Sequence, residues 1–238
     1  MSEQQEFLSG PPQTMFAFGF VAGVAVSAIV GMLFFGGVPT GASGIAPTAV
    51  APSAQPTAVA PTAAAPLPEV TKDDWVRGDL SKAKVVLVEY SDFECPYCGS
   101  HHPSMQQLMT DYGDDVAWVY RHFPLSFHPQ ATPAALASEC IGEQGGDDAF
   151  WSFADVAFAN QTGLGTAFYE QQVQSLGLDL PKYQDCVSSK KFSANVTSDL
   201  SGGQAAGVTG TPATFVNGQL VSGAVPYAQL QSIVESAL

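Results

Sequence analysis

Apolar and polar positions divide the chain into three stretches. Met15 to Val38, "MFAFGFVAGVAVSAIVGMLFFGGV", is one unbroken apolar run, and about 20 such residues span a bilayer. A cleaved signal peptide has a basic segment ahead of a shorter apolar core; here no Lys or Arg precedes the run. The expectation is an uncleaved, single-pass anchor over 15–38 behind a short N-terminus, 1–14. Gly19, Gly23, Ser27 and Gly31 recur every four residues within it, either as a groove for a second membrane helix or as the ordinary glycine content of such helices. Residues 39–68 are Pro, Ala, Thr, Val and Ser with "PTAVAP" at 47–52 and 56–61. Proline at this density disfavours helix and sheet and favours an extended, solvated spacer.

From residue 69 to 238 the pattern is that of a folded domain. "KVVLVEY" (84–90) is short, Val-rich and nearly continuous, as a buried central strand is. After a short loop, Pro96 suits the first turn of a helix running to about Tyr112, with Pro103 inside it as an expected kink. "VAWVYRHF" (116–123) is a second strand, and a strand–helix–strand unit implies parallel pairing. The period then becomes helical for about 75 residues, beginning with 131–146, which ends at a glycine pair, and 147–160, which carries Phe150, Phe153, Ala154 and Ala157 on one face. "TGTPATFVNGQLVSG" (209–223) is a hairpin with a type I′ signal at Asn217-Gly218. The last helix turns Tyr227, Leu230 and Val234 inward.

Charge changes the picture in one respect. All 8 Lys and Arg, and 20 of the 22 acids, follow residue 68. A domain at about −12 repels phosphates and argues against nucleic acid as a partner.

The chemistry concentrates in "SDFECPYCGSHHP" (91–103). Cys95 and Cys98 are spaced as a redox dithiol; with His101 and His102 they are also four candidate zinc ligands. Structural zinc needs four ligands that converge. Adjacent histidines on a helix diverge by about 100°, so both cannot close on one ion with the two sulfurs, and no metal is expected. The remaining reading of His101 and His102 is a polar helix face, with one ring tuning the thiolate. Cys95, at the helix start, is the expected nucleophile, because backbone N–H groups and the helix dipole stabilise a thiolate there. Cys98, one turn in, is the resolving cysteine.

"VEYSDFECPYC", "RHFPLSFHPQA" leading into the helical block, and "GVTGTPATFVNG" together resemble the DsbA-like thiol-disulfide oxidoreductases, membrane-anchored members especially. The likeness covers about 72–238. It implies an α/β thioredoxin-like fold with an inserted all-helical domain at about 128–205, preceded here by the transmembrane helix and the Pro/Ala/Thr-rich linker. It also implies a cis peptide at Thr211-Pro212 packed against the dithiol, with substrate contact at Pro96, Tyr97, Thr211 and Pro212. Glu89, six residues before Cys95, lies in an apolar strand where a charge is costly; the resemblance makes it a proton shuttle behind Cys98, and the alternative is a strand-edge Glu facing water. DsbA itself has His where this chain has Tyr97. Cys140 and Cys186 complete an even count, as a structural disulfide or as two inert buried thiols.

The leading expectation is a single-pass membrane protein with its domain on the extracytoplasmic side. There it introduces disulfides into reduced exported proteins without a cofactor, and is reoxidised by a quinone-linked membrane partner of the DsbB or vitamin-K-epoxide-reductase type. A reductase or isomerase on the same fold is the nearby alternative. A non-catalytic binding or chaperone module is the alternative from another class.

Overall fold

The computed structural model describes residues 65–238. The 1–14 segment, the 15–38 anchor and the linker before residue 65 lie outside the described residues. Among those described, no helix is long and apolar enough to cross a membrane.

In chain order the elements are β1 (Trp75–Arg77), β2 (Val85–Ser91), α1 (Pro96–Tyr112), β3 (Val116–His122), α2 (Ala131–Ala159), α3 (Thr166–Ser175), α4 (Leu180–Ser188), α5 (Ser193–Ala205), β4 (Ala213–Val216), β5 (Gln219–Ser222) and α6 (Tyr227–Ala237). The sheet runs β1-β3-β2-β4-β5. β2 and β3 are parallel, as a strand–helix–strand crossover demands; the other pairs are antiparallel. This is the thioredoxin-like arrangement with helices α2–α5 inserted between β3 and β4. Strand β1 is an addition to the sequence reading. Its three residues are too few to show a period, and pairing with β3 alone makes it a strand.

Side-chain alternation sends the two faces of the sheet into separate cores. Leu87, Trp118, Tyr120 and Val216 pack with Met105 and Leu108 of α1, Phe150 and Phe153 of α2, and Leu230 and Val234 of α6. Val88, Tyr90, Val119, Phe123 and Phe215 pack beneath Ala206 and Val208, with Leu67 and Val70 of the incoming chain against them. The incoming chain is tied down from Ala65, whose N–H reaches the Ala205 carbonyl at 2.8 Å. Arg121 holds it further on. Its guanidinium donates to Pro68 O (2.9 Å), Glu69 O (2.8 Å) and both Asp74 carboxylate oxygens (2.7 and 3.1 Å). A buried guanidinium is tolerable only with its donors satisfied in this way.

Helix α1 runs unbroken through Pro103. Helix α2 is two helices meeting at Gly146, whose φ of 68° and ψ of −162° no helix contains. The β4–β5 turn has φ of 45° at Asn217 and 87° at Gly218, the doubly left-handed pair that a type I′ turn requires. The Asn217 side chain accepts from Val86 N (2.8 Å) and donates to Lys84 O (3.1 Å), so the hairpin is fastened to the start of β2.

Candidate active site

β2 delivers the chain to the site. Its Val- and Leu-rich run is buried at almost every position, so its end is fixed in space. The next residues turn around the Asp92 carboxylate, which accepts from Glu94 N (2.8 Å), Leu125 N (3.0 Å) and His128 Nδ1 (2.7 Å). Cys95 N donates to Asp92 O at 3.1 Å. Cys95 then occupies the N-cap of α1 in an extended conformation, and Pro96 takes the first helical position, where its missing N–H costs nothing.

Cys95 and Cys98 are both free thiols and both buried. Their environments drive them apart. The Cys95 thiol is lowered to about 5: the Cys98 thiol donates to its sulfur, burial opposes, and the backbone N–H groups of Cys98 and Tyr97 add to the stabilisation. Cys98 is pushed well up, first by burial and then by Cys95 beside it and the charge of Glu89. A thiolate at neutral pH therefore belongs on Cys95.

The Cys95 Sγ lies 3.5 Å from the Thr211 carbonyl oxygen, and the Thr211–Pro212 peptide is cis. Pro212 is buried and Thr211 partly so. Pro96 and Tyr97 are open to solvent, Tyr97 at 68 %. Phe127 is 73 % exposed next to His128, which holds Asp92.

Glu89 is 1 % exposed, which removes the alternative of a carboxylate facing water. It sits mid-sheet, opposite Tyr120 on one side and Thr214 on the other. Burial raises its carboxyl to about 7. Its Oε2 has no protein partner, and neither do Ser91 Oγ, Trp118 Nε1 and Tyr120 OH, which strand parity places on the same face. Near neutrality this acid both holds and releases a proton.

His101 and His102 do not form a polar helix face. Both are buried, because α1 is covered by the sheet on one side and by the helical insertion on the other. His101 Nε2 meets Thr214 Oγ1 at 3.3 Å, and His102 Nε2 meets Asp155 Oδ1 at 2.7 Å. Burial lowers His101 to about 4, with the neighbouring His102 adding to it. Burial also lowers His102, against the pull of Asp155. Both rings are neutral wedges. Among the described residues no cluster of three or more His, Cys, Asp or Glu is placed to hold a metal ion.

Cys140 of α2 and Cys186 of α4 form a disulfide, with Cα atoms 5.9 Å apart. The sequence reading passed over Asp92, His128 and Gln161. Gln161 follows α2, and its amide donates to Phe93 O (2.9 Å) and Cys95 O (2.7 Å). An Asp that opens a loop is a turn signal in its own right; a loop Gln whose partners are backbone carbonyls 66 and 68 residues away carries no sequence signal.

With this geometry in hand, likeness to known proteins is decisive. The family model described as thioredoxin matches residues 70–236. The chain belongs to the thioredoxin family. Within it the solved neighbours are DsbA-like. DsbA2 of Pseudomonas aeruginosa is 26 % identical, with a TM-score of 0.59 over 71 % of this chain and 97 % of that one. Oxidised BdbD of Bacillus subtilis has a TM-score of 0.65 at 22 % identity, covering 73 % and 97 %. The thiol-disulfide exchange protein alpha-DsbA2 of Wolbachia pipientis has a TM-score of 0.61 at 18 % identity, covering 68 % and 86 %. Curated relatives include proteins named Na(+)/H(+) antiporters. That of Salinispora arenicola is 38 % identical over 165 residues, 69 % of this chain but 24 % of its own length. The chain thus spans about a quarter of the length of these relatives.

Proposed function

We propose that this thioredoxin-family protein is a membrane-tethered thiol-disulfide oxidoreductase that donates its Cys95–Cys98 disulfide to reduced exported proteins. The observation that carries the reading is the opposed pair of sulfurs: a stabilised thiolate on Cys95 at the helix start and a buried, reluctant thiol on Cys98. A disulfide is a strong oxidant when its reduced form is stabilised, and a Cys95 thiolate is such a stabilisation.

In the reaction, a substrate thiolate attacks Cys95 Sγ of the oxidised protein. The Cys95–Cys98 bond breaks, and Cys98 leaves with the electron pair. Glu89, neutral up to about pH 7, supplies the proton that Cys98 takes up. A second substrate thiolate then attacks the substrate sulfur of the mixed disulfide, and Cys95 leaves as the favoured thiolate. Two electrons pass to the protein, and a quinone-linked membrane partner takes them in turn. An extended substrate strand would lie along Thr211, whose carbonyl faces the reactive sulfur. Exposed Tyr97 and Phe127 offer apolar footing for unfolded chain.

The run at 15–38 supports the tether, and relatives named as ion antiporters support a membrane setting for this domain. In intact cells, added protease should digest residues 69–238; protection of the domain overturns the topology. The decisive measurement is the reduction potential of the Cys95–Cys98 couple. A value above roughly −200 mV, with stoichiometric oxidation of a reduced unfolded substrate, is expected. A value close to about −270 mV would hand the site to a reductase, and absence of any thiol exchange would leave a binding module.

A further inference from the structure

We infer that Gln161, supplied by the helical insertion, is a positioning residue that sets the reactivity of the Cys95 sulfur by holding both ends of the turn that carries it. The inference rests on the thiol-exchange reading above and assigns that site a residue outside the dithiol and its cis-proline.

The side-chain amide of Gln161 donates to Phe93 O at 2.9 Å and to Cys95 O at 2.7 Å. These carbonyls flank Glu94, so the two amide hydrogens bridge the turn between β2 and α1. Cys95 O also accepts the first α1 bond, from Gly99 N at 3.1 Å. The amide and the helix therefore share one acceptor, and together they fix the peptide plane on the C-terminal side of Cys95. Cys95 keeps the extended N-cap geometry, φ −71° and ψ 120°. In this geometry the N–H groups of Cys98 and Tyr97 reach its sulfur. A helix start stabilises a thiolate through those few donors, and the benefit fades within the first turn.

The sequence makes room for this bridge at a cost. A Cβ at Gly99 would fall 2.3 Å from Gln161 Oε1 and 2.7 Å from its carboxamide carbon, so the amide would have to shift from its present place. Glycine inside a helix costs up to about 1 kcal/mol relative to alanine, and Gly99 has no positive φ to justify it. The approach of Gln161 is the reason for it. The same turn is tied to the connection ahead of α2 through Asp92, bonded to Leu125 N and His128, and through Glu94, bonded to Gln130 N. Those ties hold side chains of the turn; Gln161 holds its backbone. Through Gln161 the helical insertion acts on the chemistry of the dithiol as well as on its surroundings.

A positioning role and a mere staple predict different results. In the full-length, detergent-solubilised protein, Gln161→Met and Gln161→Glu keep the side-chain length and remove the donors. Both should raise the pH at which Cys95 becomes alkylatable by about one unit. They should also shift the dithiol–glutathione equilibrium about tenfold toward the disulfide, or about 30 mV for a two-electron couple. Gly99→Ala attacks the same contact from the other side, in a residue that favours helix, and should move both readings the same way. In a double-mutant cycle, Gly99→Ala added to Gln161→Ala should change neither reading further. Variants that melt earlier yet leave alkylation and glutathione equilibrium within twofold of the parent overturn the proposal. So does a Gly99→Ala effect that is equally large without Gln161. If the Gln161 variants fail to fold, an unmoved Cys95 in Gly99→Ala decides against it. A parent that exchanges no thiols overturns the functional reading and this one with it; an exchanging parent with unmoved variants overturns this one alone.

Discussion

Cys140 and Cys186 are joined between two helices of the insertion at a sequence separation of 46, whereas Cys95 and Cys98 lie one helical turn apart and are both free. All four are buried to a similar degree, so exposure does not separate the pairs; their positions on helices do. Cys95 caps the N-terminus of α1, where unpaired N–H groups favour an anion. Cys140 is in the body of the first part of α2, and Cys186 is in the last turn of α4, where unpaired carbonyls disfavour one. A thiolate is the species that attacks, leaves and exchanges. Cys95 is placed to reach that state, and the insertion pair is placed away from it.

Exchanging the proposed nucleophile should break the comparison most completely. Cys95→Ser should lose exchange to the uncatalysed background, and Cys98→Ser should accumulate a mixed disulfide through Cys95, visible on a non-reducing gel. Cys140→Ala with Cys186→Ala should leave exchange within about twofold. Trapping through Cys98 would reverse the assignment of the two sulfurs.

The insertion pair should show itself in stability. Its bond closes a loop of 46 residues, and the loop-entropy model gives about 4 kcal/mol for that length. Cys140→Ala with Cys186→Ala should lose about that much in denaturant unfolding. Loss of exchange at unchanged stability would instead make the pair an electron relay.

Glu89 links the dithiol to pH. Its carboxyl titrates at about 7 in the fold against a reference of 4.5. A raised acid favours the fold fully below about 4.5, and that contribution is lost as pH rises through 7. At pH 8 the buried charge costs on the order of 3 kcal/mol. Glu89→Gln should therefore raise the melting temperature at pH 8 and lose that gain as pH falls to 4.5. It should also slow formation of the mixed disulfide, the step in which Cys98 leaves and takes up a proton, while sparing the later release of Cys95. A gain independent of pH would mean that Glu89 is not the titrating group.

Sequence and structure agree where local rules decide. The Val-rich β2, the Pro96 start of α1, the Gly146 break and the Asn217-Gly218 turn are each set by residues within a few positions of one another. The thioredoxin-like fold with its helical insertion follows from their order. Strand β1 was not legible, since pairing with β3, about 40 residues on, defines it. The burial of His101 and His102 was hidden for the same reason. Thr214 lies 113 residues from His101, and Asp155 lies 53 from His102, so the helix face looked polar until its cover was in place. Glu89 could be noticed as a charge in an apolar run, but only the sheet register puts Tyr120 and Thr214 beside it.

The smallest change expected is at Tyr97, the residue between the cysteines that DsbA replaces with His. Tyr97 is 68 % exposed, and its ring brings no charge to the thiolate, whereas its backbone N–H does contribute. A histidine there would keep that N–H and add a partly protonated imidazole two residues from Cys95. Water screens a charge at so open a position, so the gain should be modest: about half to one unit lower for the Cys95 thiol. That converts to roughly 15–30 mV toward a more oxidising couple. Tyr97→His should therefore raise the potential measured against glutathione and leave the melting temperature and the Cys140–Cys186 bond unchanged. The increment should shrink above pH 7.5, as the imidazole loses its charge. A rise equally large at pH 8.5 would show that shape at this position, and not charge, sets the poise of the dithiol.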